Sequence, residues 1–160
     1  MAKELFERID RQVKDLLTDV STGKIGLPDL QRPFVWQDNK IRDLLDSMLH
    51  GFPVGYIMLW GAPEEYENTK TIGVNTKAFS HPQDLVIDGQ QRLTTVSLLL
   101  LALHNAIKSG DVQTDDSKLQ DRVYDEYLVD KYQPKDTRIK LKPVKDDGAA
   151  FSKLFENDRN

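Results

Sequence analysis

No cysteine occurs among the 160 residues. This excludes a disulfide framework, a thiol nucleophile and any cysteine-ligated zinc. Histidine is nearly as scarce. His50, His81 and His104 fall on a helix end, in a loop and within a long apolar helix, with no glutamate or histidine at metal-ligand spacing, so zinc has no support. His104-Asn105 makes no His-Asn-His nuclease, because it lies inside a helical pattern and no histidine follows it. Ser97 lacks a Gly-x-Ser-x-Gly context, which leaves a serine hydrolase without a nucleophile elbow. Long apolar runs are missing too: Val96 to Leu103 is too short to span a bilayer, and the charged start, Met1 to Arg8, has no signal region. The expectation is a cytoplasmic protein with no membrane partner. With a formal net charge of −4, no overall field draws the chain to DNA, which leaves only a local basic patch for that purpose.

What is present reads as alternating helices and short strands, an α/β (α+β) pattern. Leu5, Phe6, Ile9, Val13, Leu16 and Leu17 predict an amphipathic helix over 3–19. An extended piece and a proline-punctuated loop follow over 24–36. Asp38 is placed to cap a helix ending at His50, and Tyr56 to Trp60, a continuous apolar run, predicts a buried strand. Residues 61–81 read as a surface excursion with a weak strand near 71–74. Leu85 to Ile87 predicts a strand, and Leu93, Val96, Leu99, Leu100, Leu103 and Ile107 predict a core helix from Gln90 to about Lys108. Beyond a polar linker, a helix is expected from Leu119 to about Lys131, an alternating strand over 137–142, and a short helix from Asp146 to Phe155. The division expected is a motif-bearing core, 1–110, and an extension, 111–160, that begins a longer region.

The chemistry concentrates where the strand meets the core helix, at Asp88-Gly89-Gln90-Gln91-Arg92 followed by Thr94-Thr95. A helix start offers unpaired N–H groups and the positive end of its dipole, and a glycine lets a ligand approach the backbone. Arg92 in that first turn can fork onto a phosphate. The same residues also suit an ordinary solvated helix start after an Asp-Gly turn. Neither the P-loop nor the three-glycine dinucleotide fingerprint is present. In the proline-rich loop, Gln31 and Arg32 precede Phe34, Val35 and Trp36. Either the aromatics pin the loop and Arg32 is solvated, or Arg32 brings a second cation to the same anion; only the fold separates the two.

Ile87 to Thr95 resembles the signature of the N-terminal domain of GmrSD-type restriction endonucleases. Gln31 to Trp36, the stretch from Ile41 to Trp60, and Leu141-Lys142-Pro143 with Asp146 or Asp147 and Phe151 are similar to further parts of that family. The order and spacing of four pieces carry the likeness over nearly the whole chain. It implies a ParB/sulfiredoxin-like fold, a small mixed sheet packed by helices with a helical extension. It also implies a nucleoside triphosphate bound with Mg²⁺, and hydrolysed, to govern restriction of foreign DNA by a His-Asn-His nuclease domain. This chain lacks that nuclease, so DNA cleavage is not expected of it. The resemblance implies Asp88, Gln91 and Arg92 as catalytic residues, Asp88 holding Mg²⁺ or orienting water. It implies nucleotide contacts from Gln31, Arg32, Gly89, Gln90, Thr94 and Thr95, the two threonines having helix packing as an equal alternative. Two other readings stand beside this one: a non-enzymatic module sensing DNA or a modified nucleotide through the same pocket, and a scaffold in which the motif serves only the fold.

Overall fold

A computed structural model describes residues 7–28, 33–61, 82–133, 138–141 and 146–156. Its centre is β3 (Asp84–Asp88), which passes through one glycine into α3 (Gln90–Ser109). Both were legible from local pattern. Leu85 and Val86 are fully buried, whereas Ile87 is half exposed, so the strand is covered at its start and open toward the helix. Among the described residues β3 is the middle of three strands in one sheet. β1 (Ile25–Gly26) runs parallel to it, and β2 (Met58–Gly61) antiparallel with a register irregularity between Met58 and Leu59. The result is a mixed sheet with helices, an α+β fold.

β2 corrects the expectation of a buried strand over 56–60. It begins at Met58, and Met58, Trp60 and Gly61 are exposed. The sheet order puts β2 on one flank of β3, and only Leu59, with Ile57 just before the strand, packs inward. An apolar run cannot by itself tell a central strand from a flanking one, because that depends on pairing partners remote in sequence.

α1 (Val13–Thr22) starts later than expected. Ile9 is 65% exposed and residues 7–12 are not helical, since none of the described residues buries the apolar face that would support another turn. α1 ends at Gly23 in the left-handed region. α2 (Asp38–Leu49) lies within the predicted span, but Asp38 is its first helical residue and not its cap, the N-cap position falling to Gln37. The expected strand near 71–74 lies outside the described residues.

Two apolar cores flank α3. Val20, Ile25, Leu27, Val86, Leu93 and Leu141 form the first, beneath the sheet. Leu101, Val123, Leu128, Val129, Ile139, Phe151 and Phe155 form the second. α3 thus supplies Leu93 to one and Leu101 to the other. α5 (Asp146–Glu156) sits where it was expected and buries Phe151 and Phe155.

The helix expected from Leu119 to Lys131 is shorter and changes pitch. α4 (Leu119–Val123) widens into a π-helical turn, Tyr124–Leu128, after which Val129 bridges Ile139. Lys140 explains the change: its Nζ donates to the carbonyls of Asp125 and Glu126, each at 2.8 Å, and its backbone N–H donates to Leu128 O. These contacts draw carbonyls out of the α-helical ladder. The strand expected over 137–142 appears only as that one bridge, the rest of its surroundings lying outside the described residues.

Candidate functional site

Gly89 makes the turn between β3 and α3. Its φ is +104°, where side chains are strained, and a Cβ there would stand 2.8 Å from Ile57 Cγ1 and 3.3 Å from Ile57 Cα. Glycine is therefore required both by conformation and by the close approach of the segment entering β2. Among the described residues no side chain caps α3, so its leading N–H groups point out of the helix without an intrahelical acceptor.

The next three side chains are committed to backbone partners. Gln90 Nε2 donates to Ile87 O at 3.0 Å and, more weakly, to Val86 O at 3.4 Å, closing the end of β3. Gln91 grips the proline-rich loop with both ends of its amide: Nε2 donates to Pro33 O at 3.1 Å, and Oε1 accepts from Val35 N at 2.9 Å. Arg92 holds a second loop, donating from Nε to Val54 O at 3.1 Å and from Nη1 to Tyr56 O at 3.2 Å. Its guanidinium carbon lies 5.8 Å from the Trp36 ring centre and 5.9 Å from that of Tyr56. Each ring can face the cation. Among the described residues, three of the five guanidinium N–H donors have no acceptor.

Gly55 completes the second loop. Its φ is +103°, and a Cβ would meet Arg92 Nε at 2.9 Å and Nη2 at 3.0 Å. The guanidinium thus lies against bare backbone. The segment from Pro33 to Trp36, the segment from Val54 to Tyr56 and the first turn of α3 form one hydrogen-bonded unit.

Asp88 stands at the edge of this unit as the last residue of β3. Its side chain is exposed and makes no hydrogen bond or ion pair among the described residues. A carboxylate left free at a strand end, beside an uncapped helix start, is available to a cation. Among the described residues no three His, Asp or Glu side chains gather as a metal site. Thr94 and Thr95 are buried, and Thr95 Oγ1 donates to Gln91 O at 2.7 Å. Their surroundings are those of helix packing. Gln31 and Arg32 lie outside the described residues.

Two residues of this unit lie in stretches that carry the family resemblance but were not among the expected site residues. Gly55 lies within the stretch from Ile41 to Trp60 that resembles the family. Asp147, whose Oδ2 accepts the Phe34 N–H at 2.6 Å, lies 113 residues away in sequence. Its spacing held a signal, because Asp147, Phe151 and Phe155 recur every four residues and share one helix face.

These elements define an α+β domain built on a strand–turn–helix junction whose first helical turn grips two loops. Residues 13–160 match the GmrSD restriction endonuclease, N-terminal domain, and the chain belongs to that family. It is also 31% identical over 93 residues to the uncharacterized protein MJ0686 of Methanocaldococcus jannaschii, an alignment covering 54% of this chain and 16% of that protein. No solved structure matches the chain. No helix among the described residues is long and apolar enough to cross a membrane.

Proposed function

We propose that this domain binds a nucleoside triphosphate with Mg²⁺ at the start of α3, and hydrolyses it to regulate a DNA restriction endonuclease. The observation that carries the reading is the pairing of an uncapped helix start with a free carboxylate. The backbone N–H groups after Gly89 and the spare donors of Arg92 suit the oxygens of a polyphosphate. Asp88 alone would repel that anion. The two requirements are reconciled when a divalent cation accompanies the nucleotide, since Mg²⁺ is commonly held by one or two carboxylates together with substrate phosphates. Its chemistry there is charge neutralisation on the phosphates, and the chain supplies positioning. DNA and a His-Asn-His nuclease domain belong to the whole restriction system in this reading, as its target and its cutting module.

Asp88→Asn is the clean test, because the Asp88 side chain makes no hydrogen bond or ion pair among the described residues, whereas Arg92→Ala would free two backbone carbonyls. Calorimetry with each nucleoside triphosphate, with and without Mg²⁺, is expected to give Mg²⁺-dependent binding that falls at least tenfold in Asp88→Asn. Phosphate release should fall with it. Equal binding by the variant, or binding indifferent to Mg²⁺, refutes this role. DNA affinity that weakens with salt and ignores free nucleotide would instead favour a DNA-sensing module.

A further inference from the structure

We infer that Asp147 is a positioning residue of the nucleotide site, so that α5 forms part of that site; the inference rests on the nucleotide reading above. The loop entering α2 has no regular secondary structure over 33–37, and Val35 is 66% exposed. Burial at that residue therefore does not fix it. Hydrogen bonds to three consecutive residues do: Pro33 O and Val35 N meet Gln91, and Phe34 N between them meets Asp147. One clamp comes from the motif helix and the other from the last helix of the chain.

The direction of Asp147 follows from its helix. Phe151 and Phe155 lie one and two turns beyond it on the same face and are buried in the second core. A helix anchored by those rings presents Asp147 inward, toward the loop, and not as a solvated first-turn acid. The contact is a short hydrogen bond to a carboxylate, the stronger kind. Its consequence reaches the site through Trp36, which follows the clamped segment and sets its ring against the guanidinium of Arg92. Loss of Asp147 releases Phe34 N, loosens Trp36 and leaves Arg92 held on one side only.

Asp147→Ala and Asp147→Asn, compared with the unaltered chain, separate positioning from general stability. Asn keeps an oxygen that accepts from Phe34 N, while Ala does not. At a temperature where all three are folded, Asp147→Ala should weaken Mg²⁺-nucleotide binding roughly tenfold or more and speed hydrogen exchange at the Phe34 and Val35 amides. Asp147→Asn should restore most of both. A folded Asp147→Ala variant with unchanged affinity overturns the inference, as does an Asn variant as impaired as Ala. Should Ala fail to fold, Asp147→Glu keeps the charge but shifts the carboxylate by one methylene. It should fold and bind several-fold more weakly, and unchanged affinity there is equally fatal. An unaltered chain that binds no Mg²⁺-nucleotide removes the reading beneath the inference and the inference with it. That differs from normal binding that persists in Asp147→Ala, which removes the inference alone.

Discussion

Replacing Gly89 by alanine tests the junction on which the site depends. The substitution adds one methyl group where φ is +104° and where the nearest atoms, Ile57 Cγ1 at 2.8 Å and Ile57 Cα at 3.3 Å, leave no room for it. The left-handed backbone costs an L-residue about 1–2 kcal/mol, and inserting a methyl into a filled space costs about 1–3 kcal/mol. Restricting the unfolded chain returns about 0.4–1 kcal/mol. The net loss expected is about 2–4 kcal/mol, a fall in melting temperature of roughly 5–15 °C for a chain of this size. Urea and thermal denaturation measure it. Trimming Ile57 to alanine in the same chain should recover at least about 1 kcal/mol of the steric part, because contacting residues couple, while the backbone part remains. A loss below about 1 kcal/mol, or strict additivity with Ile57→Ala, would refute the account of Gly89 given by its contacts.

Arg92→Lys keeps the charge but cannot reach Val54 O and Tyr56 O together. It should cost about 1–3 kcal/mol in denaturant unfolding and alter the near-ultraviolet circular dichroism of Trp36, whereas full stability would show that the two carbonyls do not need it. Lys140 should make stability depend on alkaline pH. Burial lowers its pKa from 10.5, opposed by the carboxylates of Asp130, Asp125 and Glu126. The folded chain therefore holds fewer protons than the unfolded chain just below pH 10.5, so this residue's contribution to stability rises with pH across that window. Urea midpoints measured through it should climb less steeply in Lys140→Met, and identical slopes would refute the assignment. Phe155→Ala, which empties a fully buried ring position beside Phe151, should cost about 3–5 kcal/mol by the same assay.

How far the fold could be read from the chain depended on the range of the interactions that set it. α3 was legible because periodicity and the Asp-Gly turn are local, and α2 and α5 were legible for similar reasons. β2 and the π-helical turn were not. The exposure of Trp60 follows from which strand pairs with β3, and the change of pitch at Tyr124 follows from Lys140, well downstream. At the site, the motif residues were singled out as polar groups at a helix start, but their partners were not foreseeable. A side-chain amide that grips Pro33 O and Val35 N looks, in sequence, the same as one that faces solvent. Asp147 stood in the later resembling stretch as an alternative to Asp146, but its partner, the Phe34 N–H, was hidden for the same reason.

The two cores share α3 as a common wall, with Leu93 in one and Leu101 in the other. Neither half can melt without stripping one side of that helix. Leu141 adds to this by returning from the second half to fill the first core. Unfolding should then proceed as a single cooperative step, with the slowest amide exchange along the middle of α3. A cut after residue 110 would remove the partners of Leu101 and withdraw Leu141 from beneath the sheet, so the motif cannot be studied faithfully on the first half alone.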